Sequence, residues 1–148
     1  MSLAPPTPYR TRGQGTVLVM DDEELILRAC AKVLAAGGYH AVLARDGAEA
    51  VRLYREALEA GGRYDAVIMD LTVPGGMGGQ EAIRELLEID PRVRAIVSSG
   101  YCNDPVMANF EAHGFRAVVA KPYVMDELLE AVERVIAESS AVFPLPPP

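Results

Sequence analysis

Short apolar runs alternate along this chain with longer segments of helical periodicity, and this alternation restricts the possible folds more than any other feature. Five apolar runs predict strands, at residues 16–20, 39–44, 64–69, 94–98 and 117–120. Apolar residues at spacings of three and four predict helices at 24–36, 47–60, 79–89, 105–113 and 125–138. Strand–helix units in strict alternation predict a parallel sheet with helices on both faces, because right-handed crossovers place them there.

The expected architecture is an α/β, doubly wound, flavodoxin-like fold in which the strands take the order 2-1-3-4-5. That order places strand one beside strand three. The domain is expected at residues 15–139. Before it, residues 1–14 contain three prolines without a hydrophobic period and predict an arm or linker, as in a domain cut from a longer polypeptide. After it, residues 140–148 predict a proline-rich tail.

Charge and composition exclude several kinds of function. The net charge of −7 argues against nucleic-acid binding through the phosphate backbone and against direct contact with anionic membranes. No apolar run reaches the length of a membrane span, and the N-terminus lacks a signal-peptide pattern, so the cytoplasm is the expected location. Two histidines, far apart in sequence, offer little for a zinc site, so any bound metal is expected to have oxygen ligands.

Three carboxylates stand where strands one and three end. Asp21 and Asp22 follow the first apolar run, and Asp70 follows the third. In open α/β sheets, ligands bind outside the carboxyl ends of the strands, and neighbouring strands bring these side chains to one crevice. Crowded carboxylates repel each other unless a cation lies among them. Mg²⁺, which prefers oxygen ligands and binds phosphate, is the expected ion.

Two more strand ends carry groups that suit phosphate chemistry. Lys121 follows strand five and offers an ammonium group, and Ser99 follows strand four and offers a hydroxyl. Ser98 competes with Ser99 for this role, but only Ser99 precedes the small Gly100. A carboxylate such as Asp70 can attack phosphorus to give an aspartyl phosphate, whose oxygens the ammonium and the hydroxyl can bind.

In their order and their places at strand ends, these residues closely resemble the site of the receiver domain of two-component response regulators. The resemblance covers residues 15–139. The residues that carry it are Asp21-Asp22, Asp70, Ser99-Gly100 and Lys121-Pro122. The resemblance implies that Asp70 accepts a phosphoryl group on which Lys121 and Ser99 act, and that the Lys121–Pro122 bond is cis. The implied ligands of Mg²⁺ are Asp21 through water, Asp22, Asp70 and the backbone carbonyl of Thr72. The implied phosphoryl-binding residues are Thr72, Gly100 and Lys121.

The resemblance also implies a switch, with one departure in this chain. Many receivers carry Tyr or Phe three residues before the lysine, whereas this chain has Val118. The switch residues are therefore expected to be Ser99, Tyr101 and Val118, with Tyr101 as a partial substitute for the aromatic ring. Phosphorylation is expected to shift the face formed by helix four, strand five and helix five, through which a homodimer can form.

The partner implied by the resemblance is a histidine kinase or a histidine phosphotransfer domain, which donates the phosphoryl group. Residues 70–79 and 98–105 look similar to receivers at the C-terminal end of hybrid sensor histidine kinases. The domain is expected to gain and lose phosphate autocatalytically rather than to be a turnover enzyme. One alternative is a haloacid-dehalogenase-like phosphatase or phosphotransferase, although that class uses a second Asp at the position of Thr72. Another is a degenerate receiver that acts only as an interaction module.

Overall fold

The computed structural model describes residues 15–100 and 103–140, which form one sheet and its surrounding helices. The strands are β1 (Gly15–Met20), β2 (Tyr39–Ala44), β3 (Ala66–Asp70), β4 (Ala95–Ser99) and β5 (Ala117–Ala120). The helices are α1 (Glu24–Ala36), α2 (Gly47–Glu59), α3 (Gly79–Ile89), α4 (Pro105–Ala108) and α5 (Met125–Ser140), with a 3-10 helix at Phe110–His113. No helix in these two ranges has the length and apolar character that a membrane span requires.

All paired strands are parallel, and their order is β2-β1-β3-β4-β5, which confirms the predicted doubly wound topology. β1 lies between β2 and β3, with Met20 opposite Met69. β4 lies on the other side of β3, with Ser98 opposite Asp70. This register aligns the carboxyl ends of β1, β3 and β4, so the residues that end or follow them meet at one edge of the sheet.

Helices cover both faces of the sheet, which explains why its central strands are apolar at successive positions. Side chains of successive strand residues point to opposite faces. Val67 and Val97 belong to a core cluster with residues of α2 and α3, whereas Ile68 and Ile96 belong to a second cluster with residues of α1 and α5. All four are fully buried. A strand with two buried faces appears in sequence as a continuous apolar run.

The predicted helix at residues 105–113 is wrong in extent. α4 ends at Ala108, and residues 110–113 form the 3-10 helix instead. Asn109 separates the two segments with φ −129° and ψ 46°, outside the helical region. Asparagine disfavours helix interiors because its side chain competes for backbone hydrogen bonds. Gly114 then ends the segment with φ 99°, a conformation that glycine adopts without steric cost.

The other element boundaries agree with the sequence prediction to within two residues. β3 and β4 each end one residue later than predicted, at Asp70 and Ser99. The backbone beyond Asp70 is still held by the sheet, since the N–H of Leu71 donates to the carbonyl of Ser98 at 2.9 Å. The two residues therefore project from fixed strand ends rather than from loops.

Candidate functional site

Charged side chains from three strand ends meet at the carboxyl edge of the sheet. Asp21 follows β1 and is fully buried, and Asp70, the last residue of β3, is 5% exposed. Lys121 follows β5, and its Nζ lies 2.8 Å from Oδ2 of Asp21 and 3.1 Å from Oδ1 of Asp70. One ammonium group therefore bridges two buried carboxylates from neighbouring strands.

Asp22 adds a third carboxylate to this pair, and this residue is exposed. One carboxylate oxygen from each of Asp21, Asp22 and Asp70 lies within 4.8 Å of the other two. The N–H of Glu23 donates to Oδ1 of Asp21 at 2.9 Å and helps to orient that carboxylate. Three carboxylates around one ammonium leave an excess of negative charge. Oxygen donors at this spacing fit a hard divalent cation such as Mg²⁺.

The surroundings of Asp70 disfavour its ionised form. Its pKa is raised from 3.8 to about 6, first by burial and then by the charge of Asp21, while Lys121 partly offsets both effects. Burial acts to lower the pKa of Lys121, but the hydrogen bond to Asp21 and the charge of Asp70 outweigh it, so this pKa is raised. Lys121 is therefore a fixed positive charge at neutral pH. A bound cation would stabilise the ionised form of Asp70.

β4 contributes Ser99 to the same edge. Ser99 is the last residue of β4 and 3% exposed, and its carbonyl accepts the N–H of Lys121 at 3.0 Å. A Cβ added to Gly100 would meet no atom of the described residues within 4 Å. The structure thus joins the predicted hydroxyl residue to the lysine-bearing segment, and no side chain or backbone atom of the described residues fills the space next to Gly100.

The loop after β3 packs tightly against the end of that strand. The N–H of Gly79 donates to the carbonyl of Leu71 at 3.1 Å, and a Cβ added to Gly79 would lie 2.8 Å from the carbonyl oxygen of Asp70. Glycine at position 79 therefore permits the close approach of α3 to the strand end. Thr72, two residues beyond Asp70, is exposed on this loop. Its roles toward metal and phosphoryl group stay predictions.

The predicted switch residues are only partly within the described structure. Val118 lies in β5, is partly buried and packs against the core cluster that includes residues of α2 and α3. Tyr101 lies outside the described residues, so its place in the switch stays a prediction. The Lys121–Pro122 bond is cis, as expected.

Three exposed apolar side chains lie a few residues along the chain from residues of the acidic cluster, and the sequence motifs that predict the site do not include them. Leu25, in the first turn of α1, is 80% exposed, and Val124 and Met125, where β5 connects to α5, are 53% and 45% exposed. Leu25 is three residues from Asp22, and Val124 is three residues from Lys121. The available signal for Leu25 is its place off the apolar stripe of α1. We call Leu25, Val124 and Met125 the rim patch.

Comparison with known proteins agrees with this geometry. A family model described as the response regulator receiver domain matches residues 17–133. The sensor kinase CckA of Brucella abortus is 30% identical over 124 residues, which are 84% of this chain and 13% of CckA. A response regulator receiver protein of Anaeromyxobacter is 32% identical over 113 residues, 76% of this chain and 45% of that protein. The chain thus spans less than half of each of these two relatives.

A shorter relative and solved structures extend the comparison. The chemotaxis protein CheY of Thermotoga maritima is 31% identical over 120 residues, 80% of this chain and 95% of CheY. The receiver domain of the sensor histidine kinase PA1611 from Pseudomonas aeruginosa, with a magnesium ion coordinated in its active-site cleft, has a TM-score of 0.73 and 27% identity, over 84% of this chain and 98% of that one. The haloacid-dehalogenase alternative has no support from these matches. Because family model, fold and strand-end residues agree, the chain belongs to the response regulator receiver domain family.

Proposed function

We propose that Asp70 is the phosphoacceptor of this receiver domain in a two-component phosphorelay. The observation that carries this assignment is a buried strand-end carboxylate 3.1 Å from the Lys121 ammonium and within 4.8 Å of two further carboxylates. In the reaction, a carboxylate oxygen of Asp70 forms a bond to phosphorus, and the phosphorus–nitrogen bond of a donor phosphohistidine breaks. The donor imidazole is the leaving group.

In this proposal, each residue around Asp70 has a separate role toward the phosphoryl group. Lys121 pairs with a phosphoryl oxygen, since its ammonium already contacts the carboxylate that is modified. Ser99 donates its hydroxyl to another oxygen from the end of β4. Gly100 leaves space for the donor to approach, and Thr72 lines the route by which water reaches the product.

The acidic cluster is the proposed magnesium site, with Asp22, Asp70 and the carbonyl of Thr72 as direct ligands and Asp21 acting through bound water. The donor set supports this assignment, because three carboxylates lie close together around a single ammonium. Magnesium in the cleft of the PA1611 receiver supports it further. When bound, the ion neutralises charge on the carboxylates and on the incoming phosphoryl oxygens.

Acetyl phosphate provides the test of the phosphoacceptor. In the presence of Mg²⁺, intact-protein mass spectrometry should show the addition of one phosphoryl group to the wild type and none to Asp70→Asn. Asp46→Asn is the matched control, because Asp46 lies near the same edge of the sheet but accepts the N–H of Glu49 as the N-cap of α2. Equal modification of Asp70→Asn would exclude Asp70 as the acceptor. Absence of modification in the wild type would favour the pure interaction module.

We assign the rim patch to docking of the donor, a histidine kinase or a histidine phosphotransfer domain. A donor histidine can reach Asp70 only if its domain contacts the residues around the crevice, and exposed apolar side chains there suit a protein interface. Leu25→Ser should slow transfer from a phosphorylated donor domain. It should leave the reaction with acetyl phosphate unchanged, because that small donor needs no docking surface. Equal slowing with both donors would contradict the assignment.

The proposed output surface is the face formed by α4, β5 and α5. A groove between β5 and α5 lies on it, lined by Val118, Ala120, Glu127 and Arg134 among others. Homodimerisation through this face should appear as a higher sedimentation coefficient after phosphorylation, and the change should be absent in Asp70→Asn. An unchanged coefficient would exclude a phosphorylation-dependent dimer and leave the phosphoacceptor assignment intact.

The remaining proposals concern the domain in its parent protein. We infer that residues 15–139 form the domain and that it acts in the cytoplasm. We further infer that it loses its phosphoryl group by self-catalysed hydrolysis and does not turn over other phosphate esters. The similarity to CckA and to the PA1611 receiver supports a hybrid histidine kinase as the parent, and the similarity to CheY supports a stand-alone regulator. The sequence of the complete reading frame would distinguish these two forms.

A further inference from the structure

We propose that Tyr123 is a positioning residue that fixes the segment carrying Lys121 against the end of β4 through a hydrogen bond to Ser98. The proposal rests on the assignment of Asp70 as the phosphoacceptor. Neither Tyr123 nor Ser98 belongs to the set of phosphoryl-binding or metal-binding residues described above. Their effect on the reaction would be indirect, through the placement of Lys121 and Ser99.

The contact is partly buried and joins two side chains 25 positions apart in sequence. The hydroxyl of Tyr123 donates to Oγ of Ser98 at 3.0 Å, and Ser98 is fully buried. The ring of Tyr123 packs against the core cluster that includes residues of α1 and α5. Tyr123 is two residues after Lys121 and two residues before the start of α5 at Met125. A hydrogen bond in this setting holds the connection between β5 and α5 to a central strand.

Ser98 is a junction of the strand ends that form the site. It lies opposite Asp70 in the β3–β4 register, and its carbonyl accepts the N–H of Leu71 at 2.9 Å. The carbonyl of the next residue, Ser99, accepts the N–H of Lys121 at 3.0 Å. With its side chain bonded to Tyr123, residue 98 connects the acceptor strand, the hydroxyl residue and the lysine segment.

The phenol of Tyr123 stays protonated, so it can donate the hydrogen bond to Ser98 over the whole ordinary pH range. Burial raises the pKa of its phenol, and nearby Cys30, Asp21 and Asp70 act in the same direction, so the hydroxyl stays protonated and donates. The side chain of Val118, earlier in β5, has no polar atom and cannot form such a bond. The hydroxyl of Tyr123, on the α5 side of Lys121, does form a polar side-chain contact between β4 and the lysine segment.

Tyr123→Phe tests the proposal, because it removes the hydroxyl and keeps the ring. We expect phosphorylation of Asp70 by acetyl phosphate at saturating Mg²⁺ to slow about 3- to 10-fold, the change in rate that corresponds to one hydrogen bond that positions Lys121. The affinity for Mg²⁺ should not change, because Asp21 and Asp22 keep their places. Rates are measured well below the melting temperature, so that a loss of stability alone has no effect on them.

Tyr54→Phe is the matched control. Tyr54 is 1% exposed, and its hydroxyl donates to Oδ2 of Asp90 at 2.6 Å, near the amino ends of the strands. The same chemical deletion there should lower the melting temperature and leave the phosphorylation rate at the wild-type value. A rate for Tyr123→Phe equal to that of Tyr54→Phe would overturn the proposal.

Ser98→Ala completes a double-mutant cycle from the acceptor side. If both substitutions act by removing this one hydrogen bond, the double variant Ser98→Ala/Tyr123→Phe should be phosphorylated no more slowly than the slower single variant. Independent, multiplicative effects would overturn the proposal, and Ser98→Ala alone tests it if Tyr123→Phe does not fold. Failure of the wild type to be modified on Asp70 would refute the underlying function, whereas normal modification in all variants would refute only the role of Tyr123.

Discussion

Two aspartates of this domain are equally buried at opposite ends of the sheet, and their surroundings are opposite in kind. Asp70, at the carboxyl edge, and Asp90, near the amino ends of the strands, are each 5% exposed. Asp90 accepts hydrogen bonds from the hydroxyl of Tyr54 at 2.6 Å and from the N–H of Arg92 at 3.0 Å, and pairs with Arg63 at 2.9 Å. Asp70 instead has two carboxylates and one ammonium as charged neighbours.

The two pKa values reflect this difference. Burial acts to raise the pKa of Asp90, but the hydrogen bonds from Tyr54 and Arg92 and the charge of Arg63 outweigh it, so this pKa is lowered. The pKa of Asp70 is raised to about 6, because burial and the charge of Asp21 dominate. A buried carboxylate surrounded by donors stabilises the fold, whereas one crowded by other carboxylates is maintained at a cost in stability. The latter arrangement is the one that marks a reactive or metal-binding group.

The largest expected effect is the destabilisation of the protein by Asp90→Ala. The substitution removes the acceptor of Tyr54 and Arg92 and the partner of Arg63, and leaves the buried hydroxyl of Tyr54 without its acceptor. We expect a loss of about 3 kcal/mol in the free energy of unfolding at pH 7. Urea denaturation of the metal-free domain gives this value. A loss below about 0.5 kcal/mol, the range of ordinary surface substitutions, would contradict the structural role of Asp90.

The pH dependence of this effect has a fixed sign. Because the folded pKa of Asp90 is lowered, its contribution to stability is present above the unfolded value near 3.8 and is lost as the pH falls through the folded value below it. The difference between wild type and Asp90→Ala should therefore be constant from pH 7 to 5 and shrink only below about pH 4. Denaturation curves at several pH values provide the measurement.

The opposite result is expected for Asp70→Asn, which should stabilise the metal-free domain by about 2 kcal/mol at pH 7. Its folded pKa of about 6 lies above the unfolded value of 3.8, so folding favours the protonated form and the ionised form costs stability above pH 6. As the pH falls from 7 toward 4, the wild type gains stability from this group, and the difference from Asp70→Asn should shrink. A destabilised Asp70→Asn at pH 7 would show that the contact with Lys121 outweighs the repulsion.

The sequence predicts the sheet and the charged cluster for the same reason, which is that both depend on strand ends. Buried central strands appear as apolar runs, and the common strand order then brings Asp21 and Asp70 together without knowledge of any side-chain contact. Asp90 carries no such signal. Its main donor, Tyr54, is 36 positions away, and in sequence Asp90 resembles any polar residue at the end of a helix.

Features that depend on the local path of the backbone are the ones that sequence patterns do not predict. The apolar spacing of residues 105–113 is compatible with one helix, and only the non-helical conformation of Asn109 divides it. The bond between Tyr123 and Ser98 joins residues 25 positions apart, at the meeting of a loop and a strand.

Magnesium should reduce the stability cost of the carboxylates at the carboxyl edge, and so make the two ends of the sheet less different. Binding to the folded domain at ten times the dissociation constant should raise the free energy of unfolding by about 1.4 kcal/mol. The gain should be preserved in Asp90→Asn and be much smaller in Asp22→Asn, because Asp22 is one of the three clustered carboxylates. Thermal denaturation across a Mg²⁺ titration measures both. An undiminished gain in Asp22→Asn would place the ion elsewhere.

The smallest expected effect is that of substitutions at Asp46, which test whether the position of a carboxylate or its hydrogen-bond donors determine its effect on stability. Asp46 lies near the carboxyl edge, as Asp70 does, yet its Oδ1 accepts the N–H of Glu49 at 2.9 Å as the N-cap of α2. Asp46→Ala should therefore destabilise the domain by about 1 kcal/mol, whereas Asp46→Asn, which can accept the same bond, should be nearly neutral. Both variants should be phosphorylated by acetyl phosphate at the wild-type rate. Asp46→Ala could instead stabilise the domain, as is expected for Asp70→Asn. That result would mean that a carboxylate costs stability because it lies at the carboxyl edge of the sheet, and not because hydrogen-bond donors are missing around it.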